Sequence, residues 1–131
     1  MILLDTHALV WLVAEPKRLS RPASAAIQRA RNADGIGIAA ITLWELAVLF
    51  HRGHLRAHGT TEASVRLVIE SSGVSVKPIT PEIAALAAQF PDDFPRDPAD
   101  RLIGATARAE GLALVTRDES IRASKLVKTI W

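Results

Sequence analysis

The sequence predicts an α/β fold in which a mostly parallel sheet carries helices on both faces. Three short runs, Met1 to Leu4, Gly35 to Ala40 and Leu112 to Val115, are almost wholly apolar, which is typical of strands buried on both faces. Segments with apolar residues at helical spacing separate these runs, and such alternation implies right-handed β–α–β crossovers. No obvious linker interrupts the 131 residues, so we expect one domain spanning residues 1–131.

Three helices are predicted in the first half of the chain. Thr6 to Val13 follows the first strand, and Pro16 lies just beyond its end. Leu19 to Arg31 has Pro22 in its first turn, which is a common helix start. Thr42 to His51 follows the second strand, and its apolar residues recur at helical spacing.

Helices and strands continue to alternate in the second half. The predicted elements are a helix over Thr60 to Ser71, a strand over Val74 to Ile79, a short helix opened by Thr80-Pro81 and running to Ala88, a helix over Asp97 to Glu110, a helical turn from Glu119 and a last strand over Val127 to Ile130. The prolines and aspartates between Phe90 and Arg96 predict a loop.

The composition excludes several classes of protein. Hydrophobic residues make up 49% and charged residues 23%, which are ordinary values for a globular protein. Cysteine is absent, so disulfides, Cys-ligated zinc and thiol catalysis are excluded. The net charge of +2 permits a nucleic-acid partner without requiring one. Because neither a signal peptide nor an apolar run of roughly 20 residues is visible, we expect a cytoplasmic protein without membrane contact.

Four acids lie just beyond predicted strands or at the starts of predicted helices: Asp5, Glu45, Asp100 and Asp118. Because the strand ends of an open α/β sheet lie along one edge, all four acids can meet there. Carboxylates without a lysine among them do not all stay ionised unless a cation joins them. Their oxygens are the hard ligands that Mg²⁺ and Mn²⁺ prefer. The sequence therefore predicts a divalent-metal site and phosphodiester chemistry.

Each acid also has a purely structural interpretation. Thr42 and Glu45 match a capping box, in which the two residues satisfy each other's backbone donors. Asp97 can cap a helix whose dipole favours Asp100 in the first turn. Asp118 can cap the helical turn that starts at Glu119. Asp5 is the hardest to explain in this way, because an unpaired charge beside a buried strand is costly.

Four segments together carry a resemblance to a known family. They are LLDTHALVWL (Leu3 to Leu12), TLWELAVL (Thr42 to Leu49), RDPADRLIGATA (Arg96 to Ala107) and LALVTRDE (Leu112 to Glu119). With these segments in this order, the chain resembles the PIN-domain nucleases, and specifically the VapC-type toxins of type II toxin–antitoxin pairs. The resemblance implies a three-layer α/β/α sandwich around a mostly parallel central sheet. It also implies Mg²⁺- or Mn²⁺-dependent endoribonuclease activity.

The resemblance further implies roles for individual residues. Three of the four acids, Asp5, Glu45 and Asp100, match the residues that hold the metal, and Asp118 matches a fourth, more variable position. Small hydroxyl residues near the site of the family match two threonines, Thr6 and Thr116, which are expected to contact the substrate. In this mechanism a metal-activated water hydrolyses RNA and leaves a 5′-phosphate and a 3′-hydroxyl.

Basic residues near the acids predict contacts with an RNA backbone. Three arginines flank the acids in sequence and are expected to bind substrate: Arg96, Arg101 and Arg117. The run from His51 to Arg56 fits either RNA phosphate contact or a solvated helix end. The large aromatic side chains are expected in the core rather than as base-stacking platforms, and these are Trp11, Trp44 and Phe50.

The predicted partners are RNA, a second copy of the chain and a cognate antitoxin. Several apolar side chains exceed the expected need of one small core and predict a homodimer surface: Leu43, Leu46 and Phe50, with Leu9, Val10 and Leu12. Similar proteins bind a basic, partly disordered antitoxin segment in a nearby groove, and an arginine of that segment would neutralise the acids.

Two other interpretations compete with the nuclease. A catalytically silent PIN-fold module that binds RNA or a partner is the alternative, and the presence of all four acids argues against it. A phosphoacceptor receiver domain fails on position, because Asp34 precedes the second strand and Lys77 lies on the third.

Overall fold

A five-stranded parallel sheet forms the centre of the computed structural model, which describes residues 1–131. Its strands are β1 (Ile2–Leu4), β2 (Ile36–Ala39), β3 (Ser75–Lys77), β4 (Leu114–Val115) and β5 (Thr129–Ile130). The strand order is β3-β2-β1-β4-β5, and every neighbouring pair is parallel. The chain therefore builds outward from β1 in one direction, then returns to the other side of β1. The two halves meet at β1 and β4, which is the switch point where this class of fold places its sites.

Seven α-helices connect the strands. They are α1 (Thr6–Ala14), α2 (Arg21–Arg31), α3 (Ile41–His51), α4 (Thr61–Ser72), α5 (Pro81–Gln89), α6 (Pro98–Glu110) and α7 (Glu119–Ala123), with one turn of 3₁₀ helix at Pro16–Arg18. Each lies where the sequence predicts a helix or a helical turn. None combines the length and the apolar character that crossing a membrane requires.

The side chains of the strands separate two hydrophobic layers. Leu4 packs in a cluster with residues of α1 to α4, whereas its neighbour Leu3 packs in a second cluster with residues of α5 to α7. Val115 and Leu114 of β4 divide between the two clusters in the same way. This alternation follows from the period of two along a strand. The predicted three-layer α/β/α sandwich is confirmed.

The edge strand β3 is shorter than the predicted strand over Val74 to Ile79. Val74 is buried, but Val76 and Ile79 are largely exposed, at 38% and 46%. Pro78 follows β3 directly and has no backbone N–H to donate, which explains why the strand ends there. The alternating apolar residues of this segment therefore overestimate both the length of β3 and the burial of its side chains.

A close contact fixes α6 against the loop that precedes it. Phe90 and Phe94 pack edge to face, with ring centroids 4.8 Å apart. Both rings lie over Gly104, and a Cβ atom built there would come within 2.7 Å of Cζ of Phe94. Only glycine permits this approach, so the packing holds the middle of α6 against the loop.

Two expectations about apolar side chains are wrong. Trp44 is 61% exposed instead of buried, although Trp11 and Phe50 are buried as predicted. Conversely, three of the residues predicted to form a homodimer surface lie in the core and are not available to a partner: Leu9, Leu46 and Phe50. For the residues of α3 the reason is the rotation of that helix, which turns Leu46 and Phe50 toward the core and Trp44 toward solvent.

Candidate active site

The predicted acids meet in one cleft at the switch point of the sheet. Asp5 follows β1, Asp118 follows β4, Glu45 lies on α3, and Asp97 and Asp100 lie at the start of α6. All five side chains line a cleft of about 470 Å³. Residues that are far apart in sequence are thus collected by the topology, as the parallel sheet predicts.

Three of these acids also cap helices. Oδ1 of Asp5 accepts a 2.7 Å hydrogen bond from the Ala8 amide and caps α1. Oδ1 of Asp118 accepts from the Ile121 amide at 3.1 Å and caps α7, and Asp97 caps α6. Each cap leaves the second carboxylate oxygen free for other partners. The structural and the functional interpretations of these acids are therefore compatible.

The predicted capping box at Thr42 and Glu45 is wrong. Helix α3 starts one residue earlier than predicted, its cap position is Ala40, and no side chain caps it. The hydroxyl of Thr42 is buried and lies 3.0 Å from that of Thr6. Thr6 in turn donates a 2.5 Å hydrogen bond to Oε1 of Glu45. Glu45 is thus directed by a side chain of α1 into the cleft rather than back to its own backbone.

Thr116 has a similar supporting position on the other side of Asp5. It is fully buried directly after β4, and its Oγ1 accepts a 3.1 Å hydrogen bond from the Asp118 amide. Its hydroxyl also interacts with the carboxylate of Asp5 and lowers the pKa of that group, which favours the charged form. Thr6 and Thr116 therefore hold carboxylates in place, and neither is itself exposed to solvent.

Burial and mutual repulsion raise the pKa values of three carboxyl groups. Burial raises the pKa of Asp100 to about 7, and the charges of its neighbours, Asp97 first, add to the shift. Burial also raises the pKa of Asp5, although Thr116 and the Ala8 amide oppose the shift. The pKa of Glu45 is raised by burial against the opposing hydrogen bond from Thr6. The cleft therefore concentrates more negative charge than its surroundings stabilise.

The donor set suits a hard divalent cation. It consists of carboxylate oxygens, without cysteine, and a cation among them would relieve the repulsion that raises their pKa values. As the side chains stand, no three His, Asp or Glu residues converge closely enough to hold one ion together. Binding would therefore require side-chain rotation, which the half-buried Asp100 and the exposed Asp118 permit.

The three arginines predicted to bind substrate have different positions. Arg117 lines the cleft beside Asp118. Arg96 is exposed and does not line the cleft. Arg101 needs a correction, because its guanidinium donates to four backbone carbonyls of the preceding helix and loop: Ala87, Phe90, Pro91 and Phe94. A guanidinium engaged in this way stabilises the loop and is not free for a phosphate.

Several cleft residues were not predicted as part of the site, among them a further acid, Glu119, and two residues with aromatic rings. His7 and Trp11 lie on α1 and line the cleft with the acids. Their rings pack at a centroid distance of 6.0 Å. Helix α1 starts at the strand end that forms the site, and both residues lie within two turns after Asp5. This position in the sequence could have predicted that they line the cleft. The basic run from His51 to Arg56 does not line the cleft.

Residues 2–125 match the sequence profile of the PIN domain. The chain therefore belongs to the PIN-domain family. Within it, the chain is 40% identical over 132 residues to the protein named Ribonuclease VapC22 of Mycobacterium tuberculosis, covering 99% of this chain and 98% of that protein. The resemblance to VapC-type proteins inferred from the four segments is confirmed.

Solved structures agree on the fold. The structure of VapBC2 from Rickettsia felis, bound to a DNA fragment from its promoter, contains a chain that superposes with a TM-score of 0.73 at 16% identity, covering 98% of this chain and 97% of that one. FitAcB from Neisseria gonorrhoeae superposes with a TM-score of 0.65 at 26% identity, covering 98% and 96%. These likenesses cover nearly the whole chain, so the sandwich described above is the PIN fold.

Proposed function

We propose that this protein is a Mg²⁺- or Mn²⁺-dependent endoribonuclease that acts as the toxin of a toxin–antitoxin pair. The observation that carries the proposal is the acidic cleft, in which Asp100 is crowded by four other carboxylates and has a pKa of about 7. Such a cluster is poorly stable without a cation. The 40% identity to a protein named as a ribonuclease supports the choice of RNA as substrate.

Asp5, Glu45 and Asp100 are the residues proposed to hold the ion, with Asp118 as a more peripheral ligand. When bound, a divalent ion supplies a water of lowered pKa and stabilises charge on the phosphate. The chain itself supplies orientation. Thr6 holds Glu45, and the Ala8 amide holds one oxygen of Asp5. Hydrolysis of the bond to the 3′ oxygen leaves a 5′-phosphate and a 3′-hydroxyl.

The proposed partners are an antitoxin and a second copy of the chain. Structural neighbours include a toxin–antitoxin complex from Klebsiella pneumoniae and VapBC-1 from Haemophilus influenzae. An apolar groove of about 370 Å³ between α1 and α4, where Val13 and Leu67 are exposed, suits the apolar part of an antitoxin segment. A homodimer and a cytoplasmic location remain predictions of the sequence.

The function is tested by RNA cleavage with purified protein. We expect cleavage of labelled RNA in Mg²⁺ or Mn²⁺, none in EDTA, and products with 5′-phosphate ends. Asp5→Asn keeps the shape of the helix cap but removes a charge, so it should abolish cleavage while the fold is retained. Asp34→Asn is the matched control, since Asp34 is exposed and lies outside the cleft. Cleavage by Asp5→Asn at the wild-type rate would refute the mechanism.

One observation favours the catalytically silent alternative, namely that no three side chains of the cleft are close enough, as they stand, to hold one ion. A silent module would bind RNA without cutting it at any metal concentration. Intact RNA after long incubation with Mn²⁺, together with retained RNA binding, would favour that alternative.

A further inference from the structure

Two guanidinium groups cover one ring in the wall of the acidic cleft. Cζ of Arg18 lies 4.6 Å from the ring centroid of Trp11, and Cζ of Arg117 lies 5.8 Å from it. Both distances are within the range of about 6 Å for cation–π attraction. Trp11 itself is only 7% exposed. The ring therefore supports the two guanidinium groups and is not open for a base to stack on it.

The two arginines come from distant parts of the chain. Arg18 ends the 3₁₀ turn that follows α1, whereas Arg117 lies two residues beyond β4 and precedes Asp118. Trp131 packs on Trp11 with a centroid distance of 5.7 Å and completes the support of the ring. The fold thus brings both positive charges to one ring that lines the acidic cleft, without any sequence motif that links them.

Both charges are available to a ligand. Arg117 takes part in none of the four ion pairs of the molecule. Arg18 has only an exposed ion pair with Glu15 at 3.8 Å, and pairs of this kind are worth about 0–1 kcal/mol. Arg101 differs, because carbonyl acceptors already occupy its guanidinium.

An RNA strand that enters the cleft brings phosphates close to a cluster of carboxylates. The phosphates beside the reacting one need positive charge to offset this repulsion. A guanidinium presents a planar fork of donors that matches phosphate oxygens, and the ring below it limits the freedom it would lose on binding. Two such groups over one ring are therefore suited to phosphate recognition.

We propose that Arg18 and Arg117, held over Trp11, form a phosphate clamp that binds the backbone of single-stranded RNA at the rim of the cleft. The clamp rests on the proposed ribonuclease function for the identity of its ligand. A purely structural role for the same two arginines would be to cover Trp11, and the two roles differ in their dependence on salt.

The test measures binding of a short fluorescent single-stranded RNA to metal-free protein in EDTA, by anisotropy over a series of salt concentrations. For single strands, the steepness of log K against log salt is about 0.7 for each phosphate that the protein neutralises. Arg18→Gln and Arg117→Gln, which keep a planar polar group over the ring, should each reduce the steepness by about 0.7. The double variant should reduce it by about 1.4.

Charge-preserving variants and a matched control separate the two roles. Arg18→Lys and Arg117→Lys should largely keep the wild-type slope. Arg66→Gln removes an exposed arginine outside the cleft and should also leave the slope unchanged. Slopes of the Arg18 and Arg117 glutamine variants equal to that of Arg66→Gln would overturn the clamp, including when their melting temperatures fall.

The outcome is independent of the cleavage assay. If the wild-type protein cleaves RNA in Mn²⁺ but the Arg18 and Arg117 glutamine variants keep its salt slope, the proposed function stands and the clamp is refuted. Wild-type protein that does not cleave RNA in Mn²⁺ would refute the proposed function, whatever the slopes are.

Discussion

The hydroxyl of Thr6 donates a hydrogen bond to Oε1 of Glu45 and ties the first turn of α1 to α3 across the site. The same hydroxyl lies 3.0 Å from that of Thr42. A small buried group therefore sets the direction of a carboxylate for which the sequence left two interpretations open, a helix cap and a metal site. This relationship is open to direct test.

Thr6→Val should remove the support of Glu45 at nearly constant volume. We expect cleavage or metal affinity to fall about 10- to 100-fold, as for other groups that orient metal ligands. The free energy of unfolding should fall by about 1–3 kcal/mol, because the Thr42 hydroxyl loses a buried partner. Thr6→Ser keeps the hydroxyl and should stay near wild type. Equal activity of the Val and Ser variants would show that the hydrogen bond is unimportant.

The stability of the metal-free protein should depend on the titration of Asp100. Its pKa is about 7 in the folded protein and 3.8 in its ordinary state, so folding favours the protonated form. Its stabilising contribution is complete below about pH 4 and is lost as the pH rises through 7. Relative to wild type, and after a discount for solvent screening of this half-buried group, Asp100→Asn should gain on the order of 1 kcal/mol between pH 5 and pH 8. Urea denaturation in EDTA measures this difference, and a constant difference across that range would contradict the prediction.

Mn²⁺ should raise the melting temperature more at pH 8 than at pH 6. Protons compete with the ion for Asp100 and Asp5, whose pKa values are both raised. At an ion concentration of about 100 times Kd, mass action stabilises the folded state by about 2.7 kcal/mol. Thermal melts with and without Mn²⁺ give the shift. Asp5→Asn is the control that should respond weakly, and an equal shift in that variant would place the ion elsewhere.

Arg101→Ala should destabilise the protein without a specific effect on RNA binding. The substitution leaves several carbonyls of the α5–α6 loop without their donor, including that of Phe90 at 2.7 Å. A loss of about 2–3 kcal/mol is expected, because the donor is charged. Arg96→Ala changes an exposed neighbour and should stay within about 0.5 kcal/mol of wild type. Chemical denaturation measures both, and two equally stable variants would refute the structural role of Arg101.

Asp118→Asn should reduce cleavage less than Glu45→Gln does. Asp118 is exposed, and an Asn side chain can still accept the hydrogen bond from the Ile121 amide that caps α7. Glu45 lies on α3, is half-buried and contributes a charge that Gln lacks. Initial rates at saturating Mn²⁺ compare the two variants. A larger loss in Asp118→Asn would assign Asp118 a place among the principal ligands.

Most of the fold was predictable because its signals are local. The apolar runs at β1, β2 and β4 and the helical spacing between them identify the elements in order. The convergence of Asp5, Glu45, Asp100 and Asp118 on one cleft also followed, since a parallel sheet leaves its strand ends at one edge.

The features that the sequence did not predict depend on the rotation of α3 about its axis and on contacts between residues that are far apart in sequence. Thr42 and Glu45 have the spacing of a capping box, but α3 begins one residue earlier and turns Thr42 inward. Trp44 is of a residue type that is usually buried, but it lies on the solvent side of the same helix. Arg101 finds its acceptors in a loop whose path is set by Phe94 and Gly104, and no local pattern encodes that contact.

The central position of β1 has a consequence for how the protein acquires activity. Leu3 pairs with Gly37 on one side and with Leu114 on the other, so the middle of the sheet joins the two ends of the chain. A fragment that lacks either end retains an unpaired strand and only part of the carboxylate set. The complete acidic cleft therefore forms only after β4, near the end of the chain, has paired with β1 at its start.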